Sequence, residues 1–196
     1  DLKKFKFKDY KESKTIKFLL CSRMLREKGI FEYFHAAKRI KQDYQNKVEF
    51  RLLGPLNKKN PSSIKYRELK KWQDSGVVKY KGFVDDVLSE LIDADCIVLP
   101  SYYGEGIPKS LIEAAAVGRP IITSENAGCK EVIKNNNGYS CEPRSVYSLE
   151  SAMRKFLNLT YEQKNTMSKN SRLLAEKEFD EKIVIDAYYR VIKNFI

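Results

Sequence analysis

The sequence is poor in the residues from which metal centres and charge-relay triads are built. It has one histidine, His35, and four cysteines, Cys21, Cys96, Cys129 and Cys141, none of them in a C-x-x-C pair. Zinc-ligand spacing and histidine-based nucleophilic catalysis are therefore unsupported. Cys21 and Cys96 fall within apolar runs, the usual setting of inert reduced thiols, so a reducing cytoplasm is the expectation. No apolar run approaches the roughly 20 residues that a spanning helix needs, and no signal peptide opens the chain. The expectation is therefore at most peripheral contact with the inner face of a membrane. There is no internal repeat, and no glycine-arginine or aromatic-basic tract that would mark a nucleic-acid site.

What is present in excess is positive charge, 37 Lys and Arg against 26 Asp and Glu, a net +11 over 196 residues. That suits anionic ligands or surfaces without choosing among them. Lysines are spread over nearly every segment, as on a solvated surface. Only the opening, KKFKFKDYKESK, concentrates them, and residues 1–15 read as a linker or residual interdomain segment. The remainder, 16–196, is long enough for one substantial α/β core.

Strand and helix patterns alternate through that remainder. Ile16 to Cys21, Val48 to Leu53, Val77 to Lys81, Cys96 to Pro100, Pro120 to Ser124 and Tyr139 to Cys141 are short apolar runs bounded by turn residues. Between them, Gly29 precedes a helix with Ile30, Phe31, Phe34, Ala37, Ile40 and Tyr44 near one face, a helix with Leu69 and Trp72 stops at Gly76, and Asp85 is placed to cap a third. Beyond Cys141 the pattern is helical only. Ser145 opens one helix, Thr160 and Gln163 form a capping-box pattern, and Asp180 precedes a last helix carrying Ile183, Val184, Ala187, Tyr188 and Val191. The expected fold is α/β, a doubly wound parallel sheet with a helical C-terminal tail, in which ligands bind at the carboxyl ends of the strands.

Three strand-to-helix connections carry candidate chemistry. The stretch Ser101 to Pro120, SYYGEGIPKSLIEAAAVGRP, puts a glycine turn ahead of a helix that starts near Pro108. Such a helix start offers free N–H groups and a positive dipole end to an anion. Lys109 in its first turn opposes the dipole, a conflict that a bound anion would relieve, and Glu105 and Glu113 bracket it. The loop Ser22 to Gly29, SRMLREKG, brings Arg23 and Lys28 to the same edge of the sheet, a fork and a point charge suited to a diphosphate. The third is KGFVDD, Lys81 to Asp86. Each also has an ordinary reading, as a glycine turn, as surface charges in a loop and as a helix cap.

Taken together these residues resemble the retaining group 1 glycosyltransferases, enzymes of GT-B architecture built from two Rossmann-like halves. Glu105-x7-Glu113 followed by A-x-G-x-P is similar to the signature of the C-terminal, nucleotide-sugar-binding half. SRMLREKG resembles the family's G-R-L-x-x-x-K-G loop, with Ser22 in place of glycine and Met24 in place of leucine. The resemblance covers about Ile16 to Pro143. It implies that Arg23 and Lys28 hold the donor pyrophosphate together with the backbone N–H groups of Lys109 and Ser110. It implies that Val84 lies at the base, that Glu105 orients the donor sugar with Gly106, Ile107 and Pro108 beside it, and that Glu113 accepts from the ribose. Glu105 is then the catalytic candidate, and no metal or other cofactor is expected in this half. The implied partners are a nucleotide sugar, UDP-linked by expectation, and an N-terminal acceptor-binding half, with nucleic acid excluded. The phrase EGIPKSLIE is similar to the subset that builds bacterial surface polysaccharides on lipid carriers. A sugar-nucleotide epimerase of the same architecture is the alternative enzyme, and a basic membrane- or nucleic-acid-binding module the alternative of another class.

Overall fold

The computed structural model describes residues 1–11, 13–57, 59–104 and 106–193. Six strands, β1 (Ile16–Cys21), β2 (Val48–Leu53), β3 (Lys79–Tyr80), β4 (Cys96–Leu99), β5 (Ile121–Ser124) and β6 (Gly138–Cys141), form one sheet in the order β3-β2-β1-β4-β5-β6. Every pairing is parallel. Chain order runs outward from β1 to β3, then restarts at β4 on the other side of β1. The reversal between β1 and β4 is the topological switch point at which such sheets hold ligands.

The helices are α1 (Ile30–Tyr44), α2 (Tyr66–Asp74), α3 (Val87–Asp93), α4 (Lys109–Ala116), α5 (Val146–Leu157), α6 (Tyr161–Glu178) and α7 (Glu181–Lys193). Successive strand residues point to opposite faces, and the buried side chains sort accordingly. Phe18, Leu20, Phe50 and Val98 join Phe34, Trp72 and Phe156 in one core under α1, α2 and α5. Leu19, Ile97, Leu99 and Ile121 join Leu91, Leu111 and Ala175 in a second core under α3, α4 and α6. The first core is aromatic, with Phe18 stacked on Phe50 at 5.3 Å and Phe34 on Trp72 at 4.3 Å. The second is built around the small residues Ala114, Ala115 and Ala116, which let α4 lie close to the sheet.

Several expectations shift in detail. The third strand pairs only over Lys79–Tyr80, and Val77 and Val78 just before it are buried. Asp86, not Asp85, caps α3, its carboxylate accepting from Ser89 N at 3.1 Å. Phe31 and Tyr44 are only partly buried on α1, where Tyr33 and Ala36 take the buried positions. The apolar stripe of α7 is present, but none of its described residues is buried; Ile183, Val184, Tyr188 and Val191 are all exposed.

The opening segment lies along the second face. Tyr10 is buried, Phe5 and Leu2 pack against the second core, Lys8 N donates to Val117 O at 3.3 Å, and Arg119 Nη2 donates to Lys8 O at 2.7 Å. Arg172 Nη1 donates to both Phe5 O (2.9 Å) and Ala116 O (2.8 Å), joining the segment to the carboxyl end of α4.

Glycine is required where two loops cross. Gly54, at φ +137°, has the Ser22 carbonyl against the position of its missing Cβ, whereas Gly76, at φ +71°, has open space there. Gly76→Ala is therefore expected to cost only the left-handed strain, about 1 kcal/mol, and Gly54→Ala about 3 kcal/mol once the collision is added. Urea unfolding of both variants checks the ranking, and equal costs would remove the crossing as the cause.

Candidate functional site

The β1-α1 connection is held along its whole length. Ser22 N donates to Leu53 O (2.9 Å) and Met24 N to Pro55 O (3.0 Å), while Met24 O accepts from Ile64 N (2.9 Å). Met24 and Leu25 are buried, so the neighbouring Arg23 is turned outward and exposed. A single 3-10 turn, Arg26–Lys28, ends at Gly29 (φ +74°), whose missing Cβ leaves room for the Pro100 carbonyl at the end of β4.

That close approach joins the loop to the β4-α4 connection. Glu27 O accepts from Tyr102 N (2.9 Å) and Ser101 Oγ (3.0 Å), and the Glu27 carboxylate bonds Ser62 Oγ. Ser101 O accepts in turn from Ser124 Oγ and from Asn126 Nδ2 at 2.6 Å. Glu27 thus joins the β1-α1 and β4-α4 loops through its carbonyl oxygen and the Ser62 loop through its carboxylate.

Pro108 is buried and stands just before α4 with an extended backbone, and no side chain caps the helix. Leu111 N and Ile112 N donate back to Pro108 O at 3.0 and 3.2 Å. The N–H groups of Lys109 and Ser110 precede them and have no acceptor within the helix. Lys109 is 88% exposed and its Nζ lies 3.6 Å from Glu113 Oε1, one turn on and only 17% exposed.

A cleft of about 480 Å³ gathers these parts: Arg23 and Lys28 from the first loop, and Pro108, Lys109, Ser110 and Glu113 from α4. Val84 is not on its wall; it is half-buried against the second core. Gly106 and Ile107 are exposed beside the cleft without lining it, and Glu105 lies outside the described residues. Asp85 and Asp86 of the KGFVDD connection also line the wall, as do residues not singled out from the sequence for the site, among them Cys21 and Leu99 at the strand ends and Lys4 and Phe5 from the opening segment. Hydrogen bonds from the Ser89 side chain and backbone hold the Asp86 carboxyl below its ordinary range. Among the described residues no cluster of three or more His, Cys, Asp or Glu could hold a metal ion. None of the described helices is long and apolar enough to cross a membrane.

A parallel, doubly wound sheet with a basic loop and an uncapped helix start at its switch point is a nucleotide-binding Rossmann-like architecture. The chain belongs to the group 1 glycosyltransferases: the family model for "Glycosyl transferases group 1" matches residues 2–174. It is similar to the N,N'-diacetylbacillosaminyl-diphospho-undecaprenol alpha-1,3-N-acetylgalactosaminyltransferase of Campylobacter jejuni, 33% identical over 181 residues, 90% of this chain and 45% of that protein. It is also similar to the putative colanic acid biosynthesis glycosyltransferase WcaL of Escherichia coli, 25% identical over 94% of this chain and 47% of that protein. The chain spans about half the length of these curated relatives. Among solved structures, Anabaena Alr3699/HepE in complex with UDP superposes with a TM-score of 0.80 at 18% identity, over 92% of this chain and 49% of that one. The C-terminal domain of the glycosyl transferase group 1 family protein LpcC of Francisella tularensis superposes with a TM-score of 0.72 at 20% identity, over 85% of this chain and 87% of that domain. The fold is the C-terminal Rossmann-like half of a GT-B protein.

Cys21 offers a direct probe of the cleft. Burial, with the charges of Glu113 and Glu90 adding to it, pushes its thiol up to about 11, and the other three cysteines are buried. Alkylation by iodoacetamide, read by mass spectrometry, should rise about tenfold per pH unit from pH 7 to 10, because only the thiolate reacts. A plateau near pH 9 would mean that Cys21 sits in an ordinary aqueous setting.

Proposed function

We propose that this chain is the donor-binding half of a retaining glycosyltransferase that moves a sugar from a UDP-linked donor to an acceptor hydroxyl. The observation that carries the reading is the convergence of Arg23, Lys28, the α4 start and Glu113 on one cleft at the switch point. In such a reaction the costly event is departure of the nucleoside diphosphate. Donors already aimed at its oxygens stabilise the charge that develops there without reorganising. Arg23 and Lys28 supply charge, and the backbone N–H groups of Lys109 and Ser110 supply the helix end. Glu113, half-buried in the cleft, accepts from the ribose hydroxyls. Val84 meets the base through its backbone. Glu105 orients the donor sugar from the turn ahead of α4, beside Gly106, Ile107 and Pro108, and needs no metal to do so.

The acceptor and the closing wall of the cleft come from an N-terminal half, which also covers the exposed apolar stripe of α7. Residues 1–15 are the interdomain segment. Closure of two halves excludes water and positions the nucleophile, so this half binds donor but does not transfer. The names of the relatives support polysaccharide or lipid-linked glycan synthesis; a cytoplasmic site at the inner face of the membrane is part of the proposal.

Calorimetry with UDP and with uridine tests the site. Charge-assisted hydrogen bonds are worth roughly 1.5 to 3 kcal/mol, so Arg23→Ala should weaken UDP by about tenfold or more and leave uridine nearly unchanged. Equal losses for both ligands would assign Arg23 to the base or to the fold. Product chromatography on the two-domain enzyme then separates transfer to an acceptor from epimerisation of the nucleotide sugar.

A further inference from the structure

The opening segment does more than connect. We infer that Lys4 is a further donor-binding residue, a cation that the segment holds at the cleft for the diphosphate; this rests on the donor-site reading above.

Lys4 is not on a loose tail. Asp1 Oδ1 accepts from Lys3 N (2.8 Å) and Lys4 N (3.1 Å), and Phe5 N donates to Asp1 O (3.1 Å), so the first residues form a tight turn. Phe5 anchors that turn in the second core, and Arg172 ties its carbonyl to the carboxyl end of α4. Phe7 lies over Gly118, where any Cβ would meet its ring. The same helix whose start faces the cleft therefore has its other end fastened to the segment that carries Lys4.

Charge on the cleft wall gives Lys4 its role. Of the other described lining residues, Arg23, Lys28 and Lys109 are cationic and Asp85, Asp86 and Glu113 anionic, three against three. That wall is balanced, and alone it would hold a strongly anionic diphosphate only through the helix end and local geometry. Lys4 makes it positive. Its side chain is exposed, with Nζ 5.6 Å from the centre of the Phe5 ring, and its field already reaches Asp86 across the cleft. Lys3 and Lys6 flank it on the same segment, are also exposed, and do not line the cleft.

The test is calorimetry of UDP and uridine, at low and at moderate salt, on the chain and on Lys4→Ala, Lys4→Arg, Lys3→Ala and Lys6→Ala. Lys4→Ala should weaken UDP by about five- to tenfold at low salt and less at moderate salt, as expected for a partly screened charge-assisted contact. Uridine should be unaffected, Lys4→Arg should restore UDP binding, and the Lys3 and Lys6 variants should match the parent. If Lys4→Ala behaves like Lys6→Ala, or loses uridine as strongly as UDP, the inference is overturned while the donor site stands. If the parent chain binds UDP no better than uridine, the donor site itself is overturned and this inference with it.

Discussion

The carbonyl of Glu27 holds the site in register. By accepting from both Tyr102 N and Ser101 Oγ it fastens the β1-α1 loop to the β4-α4 loop, and Gly29 lets the two backbones approach at Pro100. Arg23 and Lys28 thus sit on a loop that is bonded directly to the one leading into α4. Gly54 makes the same kind of crossing against Ser22, so the basic loop is pinned from both neighbouring strands.

Around that centre the two faces are built differently. The face under α1, α2 and α5 is packed with large aromatic residues and serves as the rigid base. The face under α4 and α6 uses alanine to bring α4 close, and it is also the face on which the opening segment lies. Arg172 bonds both the opening segment and the carboxyl end of α4, so the segment and the helix are joined directly.

Much of this was legible in the sequence. The short apolar runs IKFLLC and VEFRLL, the capping box at Thr160 and Gln163, and Gly118 after α4 are local signals, and local chemistry decides them. The basic loop and the α4 start could be paired because a doubly wound topology brings successive strand ends to one edge. What was not legible depends on long-range contact. Glu27 acts through a backbone oxygen that no residue type announces. Arg51 is buried in β2 with Asp93 of α3 and Glu49 of its own strand paired to its guanidinium. Lys4 and Phe5 reach the cleft through contacts distant in sequence, among them Arg172 of α6, 167 positions from Phe5. The choice between Asp85 and Asp86 as cap turned on one residue of backbone geometry, which composition does not resolve.

The central claim is that two separate loops at the β1-β4 switch point bind one nucleoside diphosphate. Backbone amide chemical-shift mapping during a UDP titration tests it most directly. The account predicts perturbations that grow together, with one saturation curve, at Ser22 to Gly29 and at Lys109 to Glu113. Shifts confined to α5, α6 and α7, or loops that saturate at different UDP concentrations, would contradict it.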